Sequence, residues 1–379
     1  MKIKLSQAFD LQMGKTPARN NAAYWNGSKK WVSIADIGNS GKYISDTKEC
    51  ITDRGVRESG IKAVPKETVI MSFKLSIGKT AITAEELYTN EAIMAFIDKG
   101  IYAIDPTYFY HLCCGKNWTA GTNKAVMGLT LNKATISGIE INIPDIAEQR
   151  KIAARLDRLD TVIADRQLQL EYLDYLVKSR FIELFGEPQR NPHGYKHIKL
   201  SDIATYYNGL TYKPENIAAE GTIVLRSSNI QNSQLDFADT VRVDCAIKER
   251  LMVQNNDILM CSRNGSAKLV GKVAMIKDIQ EPMSFGAFMM IIRSHYFGYL
   301  MTYFQMDAFR QQIKTGATTT INQITGRMLD DVTIPLPPMA LVDQFAAFVE
   351  QTDKSKLAVQ KSLEELELLK KSLMQQYFG

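Results

Sequence analysis

The sequence has little of what a membrane protein, a disulfide-stabilised protein or a zinc protein needs. No apolar run reaches the roughly 18 residues of a membrane-spanning helix, and the opening MKIKLSQAFD has no apolar signal-peptide core. The five cysteines are odd in number and include no Cys-x-x-Cys pair, so we expect free thiols and no metal site. We therefore expect a cytoplasmic protein that makes no membrane contact.

Motifs that carry catalysis are also scarce. Only four histidines are available for acid–base chemistry, and we find no Gly-x-Ser-x-Gly elbow, amino-methyltransferase motif or dinucleotide fingerprint. The two Gly-Lys-Thr triplets at 14–16 and 78–80 lack the glycine that a phosphate-binding loop has five residues earlier. The sequence thus predicts a non-catalytic chain without a cofactor.

The charge balance is only mildly basic. The 379 residues carry a net charge of +5, with 45% hydrophobic and 23% charged residues. These fractions are typical of globular proteins with packed cores, and the length suggests two or three domains. A charge this small permits nucleic acid as a partner without establishing it.

The second half of the chain repeats the first. Residues 145–186 align without a gap with residues 338–379, at an offset of 193 residues. The same offset relates 33–37 to 226–230. Such a unit is far longer than a solenoid repeat, so we interpret it as a duplicated module of a domain followed by a helix.

Each copy ends in a segment that predicts one long helix. From Ile152 to Leu184, apolar residues recur at steps of three, four and seven residues, the seam of a coiled coil. The first helix has Arg166 and Arg180 where the second has apolar residues, and the second has lysines where the first is apolar, so we infer that the two helices pair with each other. The alternative is that each packs on its own domain. We expect pairing through Leu156, Ile163, Leu170, Leu173 and Val177 of the first helix and Val349, Val359, Leu363, Leu366 and Leu373 of the second.

The segments before the helices have the pattern of small mixed domains. Short runs such as Thr68–Phe73 and Asp257–Cys261 predict strands, and Tyr296–Lys314 predicts a short helix. We therefore predict an α+β protein with two globular domains and two long helices. The predicted bounds are 1–144 for the first domain, 145–186 for the first helix, 187–197 for a linker, 198–337 for the second domain and 338–379 for the second helix.

Three motifs, in this order, resemble the specificity subunits of Type I restriction-modification enzymes. Gly14–Pro17 followed by Trp31–Ile37 resembles the start of a target-recognition domain. Glu148–Ile152, after an Ile-Pro step, resembles the entry into the family's helical region. Ile258–Ile276 resembles its strand–Ser-Arg-Gly–strand hairpin. The resemblance covers the whole chain.

The resemblance implies a division of labour. Each domain would read one half of an interrupted, asymmetric site in double-stranded DNA. The two helices would pair antiparallel, set the distance between the half-sites and dock two methyltransferase subunits. Separate motor-nuclease subunits would complete the complex.

Two segments depart from the family pattern. Leu341–Gln344 stands where the first copy has Glu148–Lys151, which predicts unequal docking sites, and Phe73–Ser76 lacks the usual Arg-Gly turn. A self-contained DNA methyltransferase or nuclease, or a coiled-coil scaffold that does not bind DNA, remain alternatives. Methylation or cleavage of DNA by the chain alone would favour the self-contained enzyme. Binding whose strength does not change with salt concentration would favour the scaffold.

Loop residues with cationic or forked polar side chains are the candidate DNA contacts, because lysine and arginine bind phosphates while arginine, asparagine and glutamine read base edges. In the first domain they are Lys42, Tyr43, Lys74, Lys79, Thr122, Asn123 and Lys124. In the second they are Arg226, Ser228, Asn229, Arg263, Asn264, Lys268, Thr318, Thr319, Asn322 and Gln323.

Overall fold

The computed structural model describes residues 1–118, 131–313 and 322–379. In that part of the chain, none of the helices combines the length and the hydropathy of a membrane span. The chain forms two compact units: unit 1 is Met1–Gln167 with Gln360–Gly379, and unit 2 is Leu168–Val359. Each unit therefore contains one globular domain and a part of each long helix.

Unit 1 is built on a mixed five-stranded sheet with the order β2-β9-β6-β7-β4. A second sheet has the order β5-β3-β8, and β1 pairs with β10. The strands are β1 (Lys2–Lys4), β2 (Phe9–Met13), β3 (Trp25–Val32), β4 (Tyr43–Ile44), β5 (Glu49–Ile51), β6 (Val69–Ser72), β7 (Thr80–Thr83), β8 (Tyr88–Thr89), β9 (Ile93–Asp98) and β10 (Glu140–Asn142). The helices are α1 (Leu5–Ala8), α2 (Ile34–Asn39), α3 (Asp53–Ser59), α4 (Pro106–Gly115), α5 (Lys133–Gly138) and the long α6 (Ile146–Phe185), which continues into unit 2.

Unit 2 repeats this plan around a four-stranded sheet with the order β12-β21-β18-β19. Its other sheets have the orders β13-β17-β14-β20, β15-β16 and β11-β22. The strands are β11 (His197–Lys199), β12 (Thr205–Asn208), β13 (Ile217–Ala218), β14 (Thr222–Leu225), β15 (Ile230–Gln231), β16 (Gln234–Leu235), β17 (Arg242–Val243), β18 (Ile258–Cys261), β19 (Val273–Met275), β20 (Met283–Phe285), β21 (Met289–Arg293) and β22 (Thr333–Pro335). The helices are α7 (Phe297–Tyr303), α8 (Asp307–Ile313), α9 (Gly326–Asp330) and the long α10 (Met339–Phe378), which continues into unit 1.

The duplication extends to individual hydrogen bonds. The Tyr108 hydroxyl donates to the Asn142 carbonyl at 3.0 Å, and the Tyr299 hydroxyl donates to the Pro335 carbonyl at 3.1 Å. In each unit this bond joins the first short helix after the main sheet to the strand that precedes the long helix. Buried hydroxyls need such partners, so both copies hold the strand before the long helix in the same way.

The two long helices pair antiparallel within each unit, as predicted. In unit 1, Lys370 Nζ lies 2.5 Å from Asp160 Oδ1 and the Arg155 guanidinium donates to the Tyr377 hydroxyl at 3.2 Å. The residue number thus falls along α10 as it rises along α6. In unit 2, Lys356 pairs with Asp174, whereas Phe345, earlier in α10, packs against Phe181, later in α6. The two helices therefore run in opposite directions there as well.

One predicted element differs in the structure. The segment predicted as a single helix over Tyr296–Lys314 contains two helices, α7 and α8, within its described part. Between them the backbone makes tight turns, with the Gln305 amide donating to Thr302 and the Met306 amide to Tyr303. With the break, the ring centres of Phe304 and Phe309 lie 4.8 Å apart. Packing of these rings in the core therefore favours two short helices over a continuous one.

Candidate nucleic-acid interface

In unit 2, two other loops contact the hairpin loop between β18 and β19. The Ile324 amide donates to the Ser262 carbonyl at 2.7 Å, and Arg263 forms an isolated β-bridge with Gln323. The Asn264 side-chain amide donates to the Ser227 hydroxyl at 3.3 Å. The structure thereby brings together four of the predicted DNA contacts, Arg263, Asn264, Asn322 and Gln323, which lie far apart in the sequence.

The turn between β20 and β21 adds an aromatic side chain to this cluster. The Ser262 and Arg263 amides both donate to the Phe288 carbonyl, at 3.0 and 3.1 Å. The Arg263 guanidinium lies 5.5 Å from the centre of the Phe288 ring, and both side chains are exposed. A guanidinium held over a ring loses some of its rotational freedom, which suits it to directional contacts. Lys268, also exposed, lies on the same hairpin loop.

The equivalent hairpin loop in unit 1 is Phe73–Lys79, between β6 and β7. The Leu131 amide donates to the Phe73 carbonyl at 3.2 Å, the counterpart of the bond between Ile324 and Ser262. The loop is shorter than the one in unit 2 and carries Lys74, whose ammonium lies 5.3 Å from the Phe73 ring.

A carboxylate lies near this loop of unit 1. Glu91 accepts a hydrogen bond from the Thr16 hydroxyl. Burial raises the pKa of Glu91, but the bond from Thr16 and the charges of Lys74 and Arg19 outweigh it and leave the pKa below its ordinary value. Lys74 therefore lies close enough to Glu91 to help lower the pKa of that carboxyl group.

Several predicted contacts have structural partners instead. Asn229 is buried, and its amide group donates to the Asp236 and Asp239 carbonyls while its oxygen accepts from the Arg226 amide. Against the sequence-based expectation, we therefore do not assign Asn229 to DNA, since a base edge cannot reach it. The Arg226 guanidinium pairs with the Asp239 carboxylate at 2.7 Å.

Two lysines of the predicted set lie close to other segments of unit 1. Lys42 Nζ lies 2.7 Å from Asp157 Oδ2 on α6. A Cβ on Gly38 would lie 2.6 Å from Lys79 Nζ, so the lysine occupies the space above that glycine. In unit 2, Lys272 occupies the position equivalent to Lys79, and its ammonium donates to the Ile230 carbonyl at 2.6 Å. Lys272 thus connects the hairpin to a neighbouring segment of its domain, whereas Lys79 is exposed.

The remaining predicted contacts lie at the surface or outside the described residues. Tyr43 is exposed beside Lys42, and Ser228 is half-buried. The predictions at Thr122, Asn123, Lys124, Thr318 and Thr319 fall outside the described residues. In both copies these undescribed residues immediately precede the segment that bonds to the hairpin loop.

The residues predicted for helix pairing are all buried or half-buried in the structure. Leu156 and Val359 are buried, and the other eight are half-buried: Ile163, Leu170, Leu173, Val177, Val349, Leu363, Leu366 and Leu373. Lys356 and Lys370, which interrupt the seam of α10, reach Asp174 and Asp160 of α6. Arg180, which interrupts the seam of α6, stacks over the Phe348 ring.

Sequence reasoning missed a buried polar cluster in unit 1. His111 is 1% exposed, and its Nε2 lies 2.8 Å from Asp157 Oδ1, while Lys42 holds the other oxygen of that carboxylate. Burial lowers the pKa of His111, and Asp157 offsets this only in part. Burial raises the pKa of Asp157, but the bonds from Lys42 and His111 bring it below its ordinary value. A lone histidine in a helical pattern gives no signal of such a partner.

Comparison with known proteins identifies the family. A family model described as the Type I restriction modification DNA specificity domain matches residues 1–172 and 192–368. The MjaIX specificity subunit of Methanocaldococcus jannaschii is 23% identical, over 98% of this chain and 90% of that protein. The EcoKI specificity subunit of Escherichia coli K12 is 28% identical, over 44% of this chain and 38% of that protein.

Solved structures show the same fold. A chain from a study of assembly and conformational transition in a type I R-M system has a TM-score of 0.65 at 17% identity, covering 100% of this chain and 97% of that one. The Type I system S subunit from M. genitalium has a TM-score of 0.56 at 14% identity, covering 100% of this chain and 96% of that one. Since the family model covers most of both copies, the chain belongs to the Type I restriction-modification DNA specificity family.

Proposed function

We propose that this chain is the DNA-reading specificity subunit of a Type I restriction-modification complex, and that each unit reads one half of an interrupted, asymmetric site. The observation that carries the proposal is the duplication itself. Each unit combines an antiparallel pair of helices with a domain whose main sheet has the same order of four equivalent strands, β2-β9-β6-β7 in unit 1 and β12-β21-β18-β19 in unit 2. Two different readers joined by stiff helices bind tightly only when both half-sites lie at the right spacing.

The proposed DNA contacts are those that the structure leaves at the surface of each domain. In unit 2 they are Arg263, Asn264, Lys268, Asn322 and Gln323, together with Phe288, and in unit 1 they are Lys74, Lys79 and Tyr43. Arginine is the side chain that most often reads guanine, through its O6 and N7 atoms. The undescribed residues Thr122, Asn123, Lys124, Thr318 and Thr319 stay in the proposed set because they adjoin these surfaces in sequence.

We further propose that the long helices dock two methyltransferase subunits, that motor-nuclease subunits complete the complex, and that catalysis resides in these partners. Support comes from two exposed apolar pairs at equivalent positions of the repeat. Tyr175 and Leu176 lie on α6 in unit 2, and Leu368 and Leu369 lie on α10 in unit 1. Exposed apolar side chains at repeated positions are typical of protein–protein contacts. We also propose a cytoplasmic location for this function.

The direct test is sequencing of modified bases in host DNA with and without this chain. We expect one interrupted motif to lose its methylation when the chain is absent, and the purified chain alone neither to methylate nor to cleave DNA. An unchanged methylation pattern would contradict the proposal, and activity of the isolated chain would favour a self-contained enzyme.

Arg263→Ala tests the assignment of one half-site to each unit. Loss of a forked contact to a base costs about 1–3 kcal/mol, so we expect methylation to become less selective in one half-site only. Arg250→Ala, which removes another exposed arginine of unit 2, is the matched control. An equal loss of selectivity in both half-sites would show that the units do not read separately.

A further inference from the structure

The hairpin loop of unit 1 presents an apolar side chain where DNA-binding loops usually present polar ones. Leu75 is 88% exposed, the highest fraction among the large apolar side chains of residues 1–118, 131–313 and 322–379. It lies between Lys74 and Lys79 in the sequence. A single exposed leucine is common on protein surfaces, so its conformation and surroundings must carry the argument.

The backbone holds Leu75 in a conformation that leucine disfavours. Its φ angle is +61°, in the left-handed region that glycine and asparagine occupy far more readily. The Ile77 amide donates to the Leu75 carbonyl at 3.1 Å, so the turn closes on this residue. Such strain persists where surrounding structure enforces it, and it is concentrated at functional sites.

The loop that carries Leu75 is fixed rather than loose. The Gly78 amide donates to the Ser72 carbonyl and the Ser72 amide to the Lys79 carbonyl, both at 2.9 Å. The buried Ser72 hydroxyl donates to the Ser76 carbonyl and accepts from the Lys79 amide. The Phe73 amide donates to the Ala92 carbonyl at 2.9 Å. Leu75 is thus displayed at the tip of an ordered turn.

The equivalent loop of unit 2 supports a role in reading bases. There the hairpin carries Arg263, and the exposed apolar group is the neighbouring Phe288. Both units therefore place one exposed apolar side chain beside a cation of the equivalent hairpin, although in unit 2 the apolar side chain comes from the neighbouring turn between β20 and β21. Among the groups on base edges in the major groove, the C5 methyl of thymine is the apolar one.

We propose that Leu75 contacts the C5 methyl group of a thymine in the half-site read by unit 1, and so helps to set the specificity of that unit. This inference rests on the proposed function. Lys74 would hold the neighbouring phosphate, while the rigid turn aims the leucine side chain at the base edge. Since the leucine is almost fully exposed, its replacement leaves the core of unit 1 intact.

The experiment replaces single thymines of the recognised site by deoxyuridine, which lacks only that methyl group. The site is first defined by modified-base sequencing, and binding of the full chain to short duplexes is then measured. Burial of one methyl group predicts that one substitution weakens binding about fourfold. Leu75→Asn, which suits the left-handed backbone, and Leu75→Ala should both abolish that dependence. Ile101→Ala, at another exposed apolar residue of unit 1, should preserve it.

Three results would overturn the inference. They are a recognised site without an A·T pair, a site where no thymine is sensitive to uracil, and sensitivity that is unchanged in Leu75→Asn. If binding weakened in the Leu75 variants but did not differ between thymine and deoxyuridine, Leu75 would instead act as an apolar wedge between base pairs. If the chain bound the site and a scrambled duplex equally, the proposed function itself would fail, which separates the two failures.

Discussion

At the scale of single residues, the two copies use different side chains to fix the start of the long helix. Gln149, in the first turn of α6, is fully buried, and its side chain accepts from the Asp105 amide and donates to the Ala103 and Pro144 carbonyls. The equivalent residue of α10 is Val342, which is buried in an apolar cluster. The hydrogen bonds of Gln149 at the start of α6 thus correspond to an apolar contact of Val342 at the start of α10.

Replacing Gln149 by alanine should destabilise the protein, because it leaves an amide and two carbonyls without partners. Buried polar groups without partners cost about 1–3 kcal/mol each, so we expect a loss of at least about 2 kcal/mol. The measurement is the denaturant dependence of unfolding. Gln167→Ala, at an exposed position of the same helix, should change the free energy of unfolding little. Equal effects of the two variants would contradict the role of the Gln149 hydrogen bonds.

The buried His111 should make stability depend on pH. Burial lowers its pKa in the folded state, so the unfolded chain takes up a proton at higher pH than the folded chain does. The stability that the neutral histidine contributes is therefore present above about pH 6.5 and is lost as the pH falls below it. Between about pH 7.5 and 5.5, the Tm of the wild type should fall more than that of His111→Gln.

The control for this pH dependence is His295→Gln, which removes an exposed histidine of unit 2. Its Tm should follow the wild-type curve. Asp157, Asp160 and Lys42 also face His111, and Asp157, with its lowered pKa, is protonated only at more acidic pH. Parallel curves for the wild type and His111→Gln would show that this histidine does not control stability.

At the scale of elements, the long helices owe their pairing to a repeated seam and to ion pairs that fix its direction. Lys356 and Lys370 interrupt the apolar seam of α10, yet each meets an aspartate of α6. Polar residues within a seam specify register and orientation at some cost in stability. The antiparallel alignment therefore depends on both the apolar and the charged positions.

Replacing both Leu170 and Leu173 by aspartate should break the pairing in unit 2. Charges placed in a half-buried apolar seam lose the packing of two leucines, so we expect a loss of at least about 3 kcal/mol. Circular dichroism in denaturant measures it, and size-exclusion chromatography with the modification subunits reports assembly. The double variant Ala164→Asp/Gln167→Asp, at exposed positions, is the control. An intact complex with unchanged stability would exclude these leucines from the seam.

At the scale of the whole molecule, the proposed function makes the length of the helices a part of what is recognised. Each long helix has 40 residues. One heptad inserted after Gln167 and another after Val359 would lengthen both helices by about 10 Å. With base pairs spaced about 3.4 Å apart, the gap between half-sites should grow by about three base pairs.

Modified-base sequencing would detect this wider gap, and the bases of both half-sites should stay the same. An insertion in one helix only should disrupt pairing, because it shifts one seam against the other. If the matched insertions left the gap unchanged, the helices would not set the spacing.

The sequence by itself determined the two long helices and the duplication. A heptad pattern without proline or glycine is a local signal, and the constant offset between copies needs no structure to detect. It also predicted correctly that the helices pair with each other, although Lys356 and Lys370 of α10 meet aspartates of α6 and not its apolar positions. The strand predicted within Thr68–Phe73 was visible as a local signal too, since its β-branched run marks it, and it forms β6 (Val69–Ser72).

Only the tertiary structure decided which loops meet and which cations remain at the surface. Arg263 lies beside Gln323 through a backbone bridge, whereas Lys42 is held by Asp157 and Asn229 is buried by its own neighbours. These outcomes depend on contacts between residues far apart in sequence, and a local pattern carries no record of them. A loop lysine that binds a DNA phosphate has the same local sequence pattern as one that pairs with a carboxylate of its own chain. Only the distance from the lysine to that carboxylate, which the fold decides, distinguishes the two cases.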